Sequence, residues 1–78
     1  MARYFFELRN GDRIIGDDDG TELDGPDEVR GQVMQALPAI AAQHIRNDGD
    51  HADFEMTVRN ASGQEVMRAT LSFALKQP

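Results

Sequence analysis

Cysteine is absent from the 78 residues, so neither disulfides nor cysteine-ligated zinc can staple the chain. That absence fits a reducing compartment, and a cytoplasmic location is the expectation. Positive charge is scarce: 8 Lys and Arg face 14 Asp and Glu, a formal net charge of −6. Nucleic-acid binding draws most of its affinity from neutralising phosphates, so this balance disfavours it. It also opposes anionic membrane surfaces. No apolar run reaches the length of a signal-peptide core or a transmembrane helix, so no membrane partner is expected. At this length one domain is the expectation, residues 1–75, with 76–78 as a frayed tail. A domain so small buries a modest fraction of its surface and gains from self-association.

What is present begins with Arg3-Tyr4-Phe5-Phe6-Glu7-Leu8-Arg9 and then Asn10-Gly11. Aromatic residues in a row favour a pleated strand. Alternation puts Tyr4, Phe6 and Leu8 on one face and Arg3, Phe5, Glu7 and Arg9 on the other. Asn10-Gly11 supplies the two positive-φ positions of a type I′ turn, with Asp12 to Ile15 as the return strand. Gly16-Asp17-Asp18-Asp19-Gly20 breaks that strand, and Thr21-Glu22-Leu23 is a short extended piece.

Asp24-Gly25-Pro26-Asp27 reads as a helix start, with Asp24 or Asp27 capping it or complementing its dipole and Pro26 in the first turn. Val29, Val33, Leu37, Ile40, His44 and Ile45 then recur at three- and four-residue steps, predicting a helix to about Arg46, ended by Asn47-Asp48-Gly49. Gly31 and Pro38 oppose it, and Pro38 predicts a kink near Met34, or two helical segments.

Phe54 to Arg59 alternates with Phe54, Met56 and Val58 inward. Asn60-Ala61-Ser62-Gly63 is a four-residue hairpin turn, and its match to a glycosylation sequon reads as turn chemistry. The last strand runs from about Gln64 to Phe73, with Met67, Ala69, Leu71 and Phe73 sharing a face.

Two hairpins around one helix predict an α+β two-layer sandwich, β-β-α-β-β, whose four-stranded sheet carries one helix on one face. The first and last strands, the most apolar, are expected at its centre. Besides the inward residues named above, the core should contain Ile14 or Ile15, and Leu23.

Those residues carry a resemblance. Arg3 to Leu8, the Asn10-Gly11 turn, Asp19-Gly20-Thr21-Glu22-Leu23 and Asp27-Glu28-Val29-Arg30 resemble the bacterial domain-of-unknown-function family 6894, found as free-standing proteins of about this length. The resemblance is sharpest over the first thirty or so residues. It implies this fold and a bacterial cytosolic protein, and it implies no activity. Glu7 stands where that family often carries histidine, and Gly31 and Pro38 are unusual for its helix.

Chemistry is thin. Nucleophilic catalysis needs a nucleophile held against a base, and no spacing ties Ser62 or Ser72 to His44 or His51. No catalytic residue is assigned, no enzyme activity is expected and no cofactor is implied. His44 reads as a boundary residue near the helix end. Asp17, Asp18 and Asp19, and a second group of Asp48, Asp50, His51 and Asp53, offer oxygen and imidazole ligands for a divalent cation. The first group misses the spacing of an EF-hand, because the twelfth-position Glu would fall on Pro26.

One helix covers one face of a sheet and leaves the other open. The open face should show Arg3, Phe5, Arg9, Arg59 and Arg68 among Glu7, Glu55, Thr57, Thr70 and Ser72. Single-stranded RNA platforms stack bases on two or three aromatics in a basic field, and Phe5 is the only large aromatic here. A mixed Arg/Glu face suits pairing of two subunits, and an edge strand can do the same by continuing the sheet. The expectation is an interaction or regulatory module that forms a homodimer or meets an unidentified protein partner. A cation or small-ligand binder using the acidic loops stands second, and RNA binding third.

Overall fold

The structure is a computed structural model. It describes residues 1–48 and 51–77, and the side chains of all these but 46–48. The aromatic opening segment forms β1 (Ala2–Asn10), which turns back into β2 (Arg13–Ile15). The turn differs from the expected one. Asn10 is paired on both sides, with Arg13 and with Phe54, so it must stay extended. The loop is therefore Gly11-Asp12. Gly11 takes φ +60°, and no non-glycine residue among those described has positive φ. That is the pattern of a type II′ turn, with glycine first of the two central residues.

The chain leaves the ladder at Gly16 and rejoins β1 as β3 (Thr21–Leu23). β2 and β3 thus share one side of β1: Ile15 faces Leu8, and Leu23 faces Ala2. The excess between them is two residues, an even number, so both strands keep their side chains on the same faces. The sheet therefore has five strands, the expected extended piece at Thr21 being one of them.

After the helix, β4 (His51–Arg59) lies against the other side of β1, and β5 (Glu65–Ala74) pairs with β4. All pairs are antiparallel. The centre is thus β1, as expected, and β4, while the last strand is an edge, contrary to the sequence expectation. The helical crossover brings the chain back beside β1, so the strand that follows it takes the inner place and its hairpin partner is pushed outward. β4 also starts three residues earlier than expected. His51, Ala52 and Asp53 are strand residues opposite Ala74, Phe73 and Ser72, not a loop. Asn60 holds the β4–β5 turn: its Oδ1 accepts from Ser62 N–H, Ser62 Oγ and Gln64 N–H at 3.1, 2.8 and 3.0 Å. Gly63 there has φ +85°. A bulge follows, leaving Val66 outside the register between Glu65 and Met67.

The helix, α1 (Pro26–Asp48), runs unbroken through Pro38, so the two-segment alternative does not occur. Gly25 is the capping residue, and Asp27 complements the dipole, one of the two expected roles. The Gly25 carbonyl accepts from Glu28 and Val29 N–H, both at 3.1 Å, which places Pro26 at the first helical position. Glu28 Oε1 reaches back to accept from Asp24 N–H at 3.0 Å, one half of a capping box set one residue early. Asp24 contributes its backbone, and Asp27 lies in the first turn, favourable to the dipole. Gly49 and Asp50 lie outside the described residues, as do the side chains of Arg46 and Asp48.

Val29, Val33, Leu37 and Ala41 descend one face of α1 onto Leu8, Leu23, Ala52, Phe54, Met56 and Val58. Tyr4, Phe6, Ile40, Ile45, Met67 and Leu71 pack around that core half-buried. Phe73 is half-buried too. One expectation fails: Ile14 and Ile15 are 56% and 52% exposed. Ile14 points to the uncovered face, opposite Arg9. Ile15 points to the helical side, but α1 lies over β4 and β5 and does not reach it.

Candidate interaction surfaces

The Asp17 loop decides what Phe5 can do. Where β2 and β3 part, the Phe6 N–H would lose its partner. Asp17 replaces it: Oδ2 accepts from Phe6 N–H at 3.1 Å, and Oδ1 accepts from Gly20 N–H at 3.0 Å. The Gly20 and Phe6 amides hold the Asp17 carboxyl below its usual 3.8, against a smaller opposing effect of burial. Arg3 reaches over the loop. Its Nη1 donates to the Asp19 carbonyl at 2.6 Å, and its Nη2 bonds Glu22 Oε1 at 3.0 Å. The loop then lies on Phe5. Gly20 has φ +73°, and a Cβ there would fall 2.9 Å from Arg3 Cγ, Phe5 Cε2 and the Tyr4 oxygen.

Arg3, Phe5, Arg9, Arg59 and Arg68 do share the open face, as the register requires. They do not form one apolar-centred patch. Phe5 is half-buried under the loop, and Thr57, at the centre of the face, is 5% exposed. Arg59 donates to the Gly63 carbonyl at 3.3 Å. Arg68 meets Glu65 at 2.7 Å, which holds the Glu65 carboxyl below the usual range. The pair is exposed and adds little to stability.

The described acidic side chains do not converge. Asp17 is engaged with backbone amides, and Asp18 and Asp19 are exposed. His51 and Asp53 project from β4, while Asp50 and the Asp48 side chain lie outside the described residues. Among the described residues no three His, Asp or Glu side chains are grouped to hold a metal ion. His44 packs edge-on against Phe54, ring centroids 6.0 Å apart, the boundary role its position suggested.

Two surfaces follow from the placement of the elements, one from the offset of α1 and one from the strand order. On one side, α1 and the β1–β2 strands bound an apolar groove of about 370 Å³. Phe6, Leu8, Ile15, Ala36, Ile40 and Met56 line it, with Thr21, Gln32, Gln43 and His44 as its polar groups. On the other side lies the outer edge of β5, ten residues long. Ala69 to Ala74 carries no charge and no proline. Its inward row, Met67, Ala69, Leu71 and Phe73, is only half-buried. The adjacent pair Ile14-Ile15 signalled that one isoleucine would stay uncovered, since two neighbouring residues of a strand cannot both face one helix, but not where a groove would form.

The family model for a domain of unknown function, DUF6894, matches residues 3–72. The chain is a member of the DUF6894 family. The DUF6894 match runs from β1 to Ser72 in β5, so it takes in the helix, the groove and both sheet edges. No curated protein and no solved structure matches the chain.

Proposed function

We propose that this DUF6894 protein is a small non-catalytic interaction module that pairs with a second copy of itself through the edge of β5. The observation that carries the reading is β5 itself. Edge strands in monomers are commonly short, charged, bulged or broken by proline. β5 has its bulge and its Arg68 at the start, and its last six residues, Ala69 to Ala74, have none of these devices. The strand is also self-complementary. In an antiparallel pair about a two-fold axis, positions of one parity meet positions of the same parity. The row Met67, Ala69, Leu71 and Phe73 would meet its own copy, and Thr70 and Ser72 theirs. The two sheets would join into one, with both helices on the same side.

A catalytic role has less support. The Ser62 hydroxyl is bound to Asn60 in a turn, and His44 packs edge-on against Phe54.

The test is solution mass by light scattering over a concentration series, for the native chain and for Thr70→Lys/Ser72→Lys. Both positions are exposed, and they sit opposite Glu55 and Asp53, so lysine there suits the folded monomer. Across a two-fold pair the lysines would crowd one another. The expected result is a native dimer and a folded, monomeric variant. A native monomer at every concentration up to the solubility limit overturns the proposal.

A further inference from the structure

We propose a second docking surface: the groove beside α1, together with the free edge of β2, takes a short extended peptide segment from a partner, apolar at alternate positions and basic in between. Three observations converge on this place. The backbone of β2 is paired with β1 on one side only, so its outer side can accept another strand. Ile14 and Ile15 stand on opposite faces of that strand and are 56% and 52% exposed. A strand added alongside would cover both. The groove lies on the Ile15 side, and at about 370 Å³ it has room for one or two side chains of that strand. An extended segment presents every second side chain to one face, which sets the alternating apolar requirement.

Charge selects the rest of the partner. The loop that joins Ile15 to Thr21, both groove-lining residues, carries Asp17, Asp18 and Asp19. The Asp17 carboxylate is engaged with amides, whereas the Asp18 and Asp19 side chains are exposed. Arg13 sits at the other end of β2, and the chain as a whole is at −6. Lysine or arginine between the apolar residues is therefore favoured near the loop, and acidic segments are repelled. Gln32 and Gln43 on the helical wall can bond an added strand's side chains.

The experiment uses the Thr70→Lys/Ser72→Lys chain, so that any pairing through β5 is silent and the two proposals fail separately. The probe is a blocked heptapeptide of alternating lysine and leucine. One control has the same composition with the leucines contiguous, and another replaces lysine by glutamate. Backbone amide shifts are followed by NMR during titration. The expected result is saturable shifts at Arg13 to Ile15 and along the Ala36–Ile40 wall, with the alternating basic peptide alone. Ile15→Glu, at an exposed position, should weaken the probe by about tenfold or more. Asp18→Lys/Asp19→Lys should weaken it at low salt, with the difference shrinking as salt rises. Binding by the contiguous control as strong as by the alternating probe overturns the proposal. So does indifference to Ile15→Glu, an absence of shifts at β2, or filling of the groove by a second copy, seen as the same shifts on concentrating the protein without peptide.

Discussion

Gly20 and Asp17 hold the loop between β2 and β3 against β1. Gly20 combines positive φ with three atoms at 2.9 Å from where a Cβ would stand, one of them the Tyr4 backbone oxygen, which cannot move aside. Gly20→Ala should therefore lower stability by about 1–3 kcal/mol, read from urea denaturation. An unchanged midpoint would mean that the loop does not rest on Phe5. Asp17 gives a pH signature. Its carboxyl is held below 3.8 in the folded state, chiefly by the Gly20 and Phe6 amides. A depressed carboxyl stabilises the fold above its unfolded pKa. That contribution is lost as pH falls through 3.8 and on through the lower folded value. Asp17→Ala should cost about 1–2 kcal/mol at neutral pH, allowing for partial exposure. The gap from the native chain should close on acidification, and a gap that persists at acid pH would place the effect in packing.

At the scale of elements, α1 is the least favoured by its own residues. Gly31 and Pro38 both sit inside it. Pro38 removes a backbone bond to Met34 and crowds its carbonyl, yet the helix continues. Four apolar residues buried on the sheet hold it in place: Val29 at 0% exposure and Val33, Leu37 and Ala41 nearly so. Tertiary burial therefore overrides propensity. Both opposing residues are exposed, and a Cβ at Gly31 would meet nothing within 4 Å. Gly31→Ala should add about 0.5–1 kcal/mol and Pro38→Ala about 1–3 kcal/mol to thermal or urea stability. Loss of stability in Pro38→Ala would show that the proline's geometry is used by the packing. The strands show the opposite balance: β1, β4 and β5 read clearly as strands, yet that β4 and not β5 would join β1 at the centre was not legible, because neighbouring strands are chosen by the crossover.

The whole molecule is thin, 49 × 23 × 16 Å, with one helix on one sheet. Its 5666 Å² of accessible surface exceeds the roughly 4,700 Å² of a compact monomer of 8.7 kDa. That excess is of the order that one partner buries in a standard interface. If β5 pairs with its copy, the melting temperature should rise with protein concentration, and that slope should vanish in Thr70→Lys/Ser72→Lys. A concentration-independent melting temperature in the native chain would argue against the pairing.

Local order set the elements themselves. Alternation at Tyr4, Phe6 and Leu8 and at Phe54, Met56 and Val58 specified strands, and the Val29–Leu37 stripe specified a helix, because strand and helix periods are properties of neighbouring residues. The Asn60 turn was legible for the same reason. The Gly11-Asp12 loop was not, because the pairing of Asn10 on both sides comes from strands distant in sequence. Nor were the inner place of β4, the offset of α1, the covering of Phe5 by Gly20, the burial of Thr57 or the groove beside Ile15. Each depends on where one element lands on another, and that is decided by the competition of whole faces for burial.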